Sequence, residues 1–208
     1  MSEENLTGQY EETYESLIEG LLNQGFGVRH NLLDETTIVA LRTNLLAHYA
    51  AGEMYPAGIG RKFDFQQNAE VRGDVIKWIE KDSTDPAELI LMDKIRSFIE
   101  YLNRTCYTGI NDFEFHYAYY KPGSFYKRHL DQFKSDRGRL FSLVTYLNDD
   151  WQESDGGNLS IYLKDDIKED LYPIAGRTVF FKSDEIEHEV YAAPNRFRLS
   201  IAGWLKRV

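Results

Sequence analysis

The feature that most restricts this chain is a change of texture at Cys106. Before it, apolar residues recur at helical spacing; after it, short β-type runs alternate with turn residues. The runs lie near 112–120, 125–130, 139–147, 157–163, 177–182, 188–192 and 197–206. Their separators are Lys121-Pro122-Gly123, Ser154-Asp155-Gly156-Gly157, Ala175-Gly176 and Pro194-Asn195, residue types that favour tight turns. Helices followed by a run of strands imply an α+β fold in which helices buttress a sandwich or barrel. A double-sheet jelly roll has this many strands.

Upstream, Tyr14, Leu17, Leu21 and Leu22 mark a helix over about 13–23 that Gly25 stops, with residues 1–11 expected to fray. Phe26-Gly27-Val28 reads as a short strand. Asp34 is placed to cap a second helix over about 35–50, with Ile38, Leu41, Leu45 and Leu46 on its apolar face. Residues 52–67 read as a loop, and Arg72-Gly73-Asp74 as a turn entering a strand at 76–79. Asp85-Pro86 opens a third helix reaching about Asn103.

Composition excludes several classes. With 42% hydrophobic and 14% aromatic residues in 208, the chain is not disordered and can bury a substantial core. A net charge of −10 argues against broad binding to nucleic-acid phosphates. Lys121, Lys127, Arg128, Lys134, Arg137 and Arg139 nevertheless gather around Asp131 and Asp136, either as a solvated strand edge or to steer an acidic partner. No apolar run is long enough to span a membrane, and the acidic start is unlike a signal peptide. Cys106 is the only cysteine, so no intrachain disulfide forms and a cytoplasmic setting is expected.

The chemistry begins at His129-Leu130-Asp131. On a strand, residues two apart share a face, so an imidazole and a carboxylate enter one space. They are two thirds of a facial site of the kind that leaves positions open on non-haem Fe(II). The pattern alone is common. His188, in EIEHEVY, is the candidate third ligand, although flanking by Glu187 and Glu189 also suits an exposed histidine. Arg198 opens RLSIAGWL, a run that otherwise reads as buried, and a buried guanidinium needs an anionic partner. Arginine matches a carboxylate bidentately, and Ser200 would add a hydroxyl from the same face. That carboxylate belongs either to the protein or to a ligand. Arg196 competes for the role but follows Pro194-Asn195 and reads as exposed. A metal triad with a buried arginine beyond its last histidine suits a chelating 2-oxo acid with a distal carboxylate.

The stretches VRGDVIKWIE, YYKPGSFYKRHLD, TYLNDDW, DGGNLSIY, VFFKSDEIEHEV and RLSIAGW, spread over about 71–204, resemble the Fe(II)/2-oxoglutarate-dependent prolyl 4-hydroxylases. The likeness is to the oxygen-sensing branch (the HIF prolyl hydroxylase-like enzymes) rather than to the collagen branch. It implies a double-stranded β-helix core over 106–208, and a helical support with a substrate-side loop over 1–105, within one domain. It further implies that His129, Asp131 and His188 bind Fe(II), and that Arg198 and Tyr146 bind the C5 carboxylate of 2-oxoglutarate. Tyr120 faces the cosubstrate, with Tyr119 as the competing assignment. Tyr126, Arg72, Trp78 and Trp204 fall where the family shapes the pocket for the target proline. Asp74 and Arg139 match a pair expected to pin the Arg72 loop over the site.

The implied reaction consumes O2, with ascorbate supporting turnover, and hydroxylates a protein prolyl residue. A compact chain without zinc finger or targeting segment points to a bacterial, monomeric enzyme, for which elongation factor Tu is the first partner to test. Two other readings stand beside it: a 2-oxoglutarate oxygenase acting on a free amino acid or another side chain, and a non-catalytic jelly-roll binding module.

Overall fold

The computed structural model describes residues 3–58, 70–132 and 137–208. In chain order the elements are helix α1 (Glu3–Gln24), strand β1 (Phe26–His30), α2 (Glu35–Ala50), β2 (Tyr55–Pro56), β3 (Asp74–Ile79) and α3 (Pro86–Cys106). After them come β4 (Asp112–Tyr120), β5 (Tyr126–His129), β6 (Arg139–Tyr146), β7 (Leu159–Tyr162), β8 (Lys168–Leu171), β9 (Arg177–Lys182), β10 (Glu187–Val190) and β11 (Arg198–Lys206). The strands form a seven-stranded sheet in the order β1-β9-β6-β11-β4-β3-β2 and a four-stranded sheet in the order β5-β10-β7-β8. Pairing of these neighbours is antiparallel. This is the expected α+β jelly roll, with helices against the outside of the larger sheet.

A side-chain period of two divides each central strand between two cores. Phe113, Phe115, Tyr117 and Tyr119 of β4 and Leu199, Ile201 and Leu205 of β11 pack with Leu17, Leu41 and Phe98 of the three helices. The alternate residues Ala118 and Tyr120, with Tyr146, Val179 and Phe181, meet Leu159, Ile161 and Val190 of the smaller sheet. The helices start as their sequences dictate. Asp34 accepts from Thr37 N at 2.8 Å, and Asp85 accepts from Ala87 N and Glu88 N, with Pro86 in the first turn. Where α1 crosses β1, a Cβ on Gly27 would lie 2.2 Å from Leu17 O, so only glycine permits that approach.

Three sequence expectations are corrected. Helix α1 begins at Glu3 instead of fraying to residue 11. Its polar turns are held by α3, through Arg104 on Glu11 and Tyr101 on Glu15, and such pairs leave no apolar periodicity to read. Strand β8, KEDL, was not expected, because an exposed edge strand of charged residues carries no hydrophobic alternation. Tyr55–Pro56, expected to be loop, pairs with β3; residues 59–67 of that loop lie outside the described residues. The first 105 residues supply β1, β2 and β3 as well as helices.

A seam joins the two sheets beside β5. Lys127 N donates to Val71 O at 2.9 Å and Gly73 N to Phe125 O at 3.0 Å, while Arg72 bridges Tyr126. The chain entering β3 of the larger sheet is thereby stitched to β5 of the smaller one, and that end of the sandwich is closed.

Candidate active site

Antiparallel pairing of β10 with β5 sets His188 opposite His129, and Asp131 follows just past the end of β5. One ligand atom from each of the three lies within 4.8 Å of the others. His129 donates Nδ1–H to Lys127 O at 2.7 Å, and His188 donates Nδ1–H to Ile186 O at 3.1 Å. A carbonyl only accepts, so both rings carry a proton on Nδ1 and turn Nε2 inward. Those Nε2 atoms stand 3.4 and 3.6 Å from the two oxygens of Asp131.

Burial depresses His188 to about 4, against the pull of Asp131. Burial would raise the Asp131 carboxyl, but His188, His129 and a 2.7 Å hydrogen bond from Ser142 Oγ hold it well below the usual carboxylate range. The two Nε2 atoms and the carboxylate thus converge on one space, an arrangement of donors that suits a cation. Two imidazoles and one carboxylate, with no fourth donor grouped with them among the described residues, fit Fe(II) with open positions better than a closed structural zinc.

The opposite pole is Arg198, which is 2% exposed. Its Nε donates to Gly157 O at 2.9 Å and its Nη1 to Ser200 Oγ at 3.3 Å, and the rings of Tyr120 and Tyr146 flank it at 5.0 Å. Among the described residues no carboxylate pairs with it. Beside it the Tyr146 hydroxyl is buried without a hydrogen-bond partner, and burial pushes its pKa up. A buried guanidinium next to an orphaned phenol is a receptor for a ligand carboxylate. Gly157 can present its carbonyl there because φ is +67° and Trp151 closes behind it, leaving no room for a side chain. Arg196 is committed to Asp155 and to the Asp149 carbonyl. Tyr119 stacks on Tyr49 in the helix-side core, whereas Tyr120 lines the cavity.

Both poles open into one cavity of about 470 Å³, with Ala118 and Ala202 between them. On its outer side Arg72 donates Nε and Nη2 to Asp74 at 2.8 and 2.6 Å and reaches Gly58 O at 3.4 Å. Its guanidinium lies 4.2 Å over the Tyr126 ring, which in turn stacks on His129 at 3.5 Å. Trp78 and Trp204 flank His116, with ring centroids at 5.1 and 5.5 Å.

The Asp74–Arg139 pair does not form. Asp74 starts β3 level with Tyr120, while Arg139 starts β6 level with Lys206, at the other end of β11. Asp74 therefore takes Arg72, and Arg139 takes Glu114 and covers the Trp204 ring at 3.4 Å. Lys134 and Asp136 of the basic cluster lie outside the described residues, and Arg128 turns outward to Glu187 and Tyr162. Sequence reasoning missed Ser142, Glu114, His116 and Gly157. Alternation points Ser142 and His116 to the cavity once the β6 and β4 registers are known, but nothing in the sequence states those registers.

Comparison with known proteins agrees with this geometry. The model of the 2OG-Fe(II) oxygenase superfamily matches residues 115–206. A crystal structure of a Pseudomonas putida prolyl-4-hydroxylase is similar with a TM-score of 0.84 and 35% identity, covering 94% of this chain and 100% of that one. A prolyl hydroxylase from Trichoplax adhaerens, solved with a hypoxia inducible factor peptide fragment, gives 0.88 and 25% identity, covering 99% of this chain and 94% of that one. The prolyl 3-hydroxylase OGFOD1 of Xenopus laevis is 36% identical over 76 residues, 32% of this chain and 15% of that relative's length. Likeness over the full length of the Pseudomonas enzyme sets aside a non-catalytic module: the chain belongs to the 2OG-Fe(II) oxygenase superfamily and is an oxygenase of the prolyl hydroxylase type.

Proposed function

We propose that this chain hydroxylates a prolyl residue of a protein substrate and couples that step to oxidative decarboxylation of 2-oxoglutarate. One atom of O2 enters the prolyl C–H bond and the other enters succinate, with CO2 released. The carrying observation is Arg198, a buried cation with no carboxylate of its own, in the cavity that holds the His-Asp-His cluster. A dicarboxylate can span those two poles. His129, Asp131 and His188 would hold Fe(II), which when bound supplies the one-electron chemistry that lets O2 react with a C–H bond. Arg198, Tyr146, Tyr120 and Ser200 would fix the distal carboxylate, and the apolar Val144 and Leu159 restrict water.

At the substrate side, Tyr126 forms a wall held from behind by Arg72 and Asp74. Trp204, steadied by Arg139, and Trp78, which is 44% exposed, line the way out to solvent. A protein substrate is supported by the Trichoplax relative's peptide complex. Likeness to a bacterial enzyme makes elongation factor Tu the first partner to test. An oxygen-sensing role follows if turnover tracks O2 over its physiological range. A single cysteine suits a reducing cytoplasm, and a monomer is the state to test first.

The test incubates the protein with Fe(II), 2-oxoglutarate, ascorbate and elongation factor Tu, measuring succinate and locating added oxygen by peptide mass spectrometry. Stoichiometric succinate and one oxygen on a proline support the whole reading. Succinate coupled to a proline of another protein replaces the partner alone. Failure to bind 2-oxoglutarate in the presence of metal overturns it.

A further inference from the structure

Asp131 has two oxygens, and the fold treats them differently. Its Oδ2 accepts from Ser142 Oγ at 2.7 Å, and Ser142 Oγ lies 2.8 Å from Ser183 Oγ. Ser142 is 1% and Ser183 0% exposed, so neither hydroxyl is there to meet solvent. Proton counting sets the direction of this chain. An ionised carboxylate only accepts, so the Ser142 proton goes to Asp131, and Ser142 Oγ must then receive the proton of Ser183. The same segment is gripped at its backbone, where Gln132 N donates to Ser183 O at 3.0 Å and Arg139 Nη1 to Asp131 O at 3.3 Å. The two serines come from neighbouring strands of the larger sheet: β6 and β9 pair Ser142 with Phe181, and Ser183 follows the end of β9. The relay thus ties a ligand that follows the smaller sheet's edge strand to the larger sheet.

We infer that Ser183 and Ser142 are positioning residues that hold Asp131 as a one-oxygen ligand. Oδ2, 3.6 Å from His188 Nε2, is engaged by the Ser142 hydroxyl, whereas Oδ1, 3.4 Å from His129 Nε2, has no hydroxyl donor and is the oxygen free to bind an ion. The count of ligand atoms makes this matter. His129, Asp131 and His188 would hold an ion through one atom each, which would leave room beside them for a chelating 2-oxo acid. A carboxylate free to turn both oxygens to the ion would take some of that room. Hydrogen bonds to ligating groups also set their orientation and basicity, and their removal typically costs about 10–100-fold in metal affinity.

This inference rests on the reading of His129, Asp131 and His188 as the metal site, so the experiment tests the two separately. Mn(II) and Co(II) affinities are measured on the whole chain for wild type, Asp131→Ala, Ser142→Ala, Ser183→Ala and Ser142→Thr, with melting temperatures taken in chelator. The Co(II) visible spectrum is recorded to report coordination number.

The relay predicts that Ser142→Ala weakens both metals about 10–100-fold and changes the Co(II) spectrum, at nearly unchanged metal-free melting temperature. Ser183→Ala acts in the same direction but less, and Ser142→Thr restores affinity. If Asp131→Ala abolishes binding while Ser142→Ala leaves affinity and spectrum at wild-type values, the relay is overturned and the metal site stands. If Asp131→Ala itself leaves affinity unchanged, both fall. A parallel loss of melting temperature and affinity in Ser142→Ala that threonine does not repair also overturns the inference, because the serine would then be ordinary core.

Discussion

The same strands build both faces of the seven-stranded sheet, yet the faces differ in kind. Toward the helices, Phe115, Tyr117, Leu143, Phe180, Leu199 and Ile201 are all at most 2% exposed and form one apolar layer. Toward the smaller sheet, β11 presents Arg198, Ser200 and Ala202 to the cavity, and β4 presents His116, Ala118 and Tyr120. That face contains small residues, a cation without a carboxylate, and the unpartnered buried atoms Tyr146 Oη and His116 Nδ1. A folding-optimised surface would contain none of these. The helix face carries stability, and the cavity face gives some of it up for a receptor.

The sharpest way to break this contrast is Asp131→Ala. Turnover should fall below detection, while the metal-free chain still folds with a lowered melting temperature, because His129, His188 and Ser142 lose the carboxylate they favour. Succinate assays and melting curves in chelator check both halves. Near-normal succinate production would dissolve the distinction.

On the other face, Phe180→Ala should cost about 3–5 kcal/mol of stability by denaturant titration, since it empties a fully buried aromatic site in contact with Phe98 and Phe141. The 2-oxoglutarate affinity of the fraction that remains folded should not change. Arg198→Ala should do the reverse. It should raise the 2-oxoglutarate KM by an amount worth about 2–5 kcal/mol, the cost of truncating one side of a buried charge-assisted pair. The same change relieves a buried guanidinium, so melting temperature should hold. Arg196→Ala, whose partners are Asp155 and a surface carbonyl, should leave KM nearly unchanged. A reversed ranking would move the receptor to the turn before β11.

Much of this was legible in the sequence because it is written with a period of two. The His129-x-Asp131 spacing, the Arg198-x-Ser200 spacing and the long runs of β4 and β11 each reveal a face without reference to any partner strand. Asp34 and Asp85 were legible as caps because a cap is a local hydrogen bond. What could not be read depends on register and on distant partners. Arg139 illustrates this: its neighbours Glu114 and Trp204 belong to β4 and β11, and only the stagger of those strands tells that Asp74 is out of reach. Ser142 was invisible for the same reason, as was β8, whose exposed charges carry no pattern.

The smallest effect tests whether the cavity face is wholly free of responsibility for stability. His116 is 4% exposed between Trp78 and Trp204, and burial, with Arg72 nearby, depresses it to about 4 from an ordinary value of 6.5. The unfolded chain therefore takes up this proton first as pH falls. The contribution is absent above about pH 6.5 and grows as an increasing penalty on the folded state down to about pH 4, where the folded ring charges as well. At pH 5 the gap to the unfolded value is about 1.5 pH units, or about 2 kcal/mol. His116→Phe keeps an aromatic ring in the sandwich and removes the titration. Urea midpoints at pH 7 should differ little between variant and wild type, and at pH 5 the variant should be the more stable by about 2 kcal/mol. His188 titrates in both proteins and cancels from the comparison. Equal losses from pH 7 to pH 5 would mean that His116 is not held neutral, and the cavity face would then be as indifferent to folding as Arg198→Ala is expected to show.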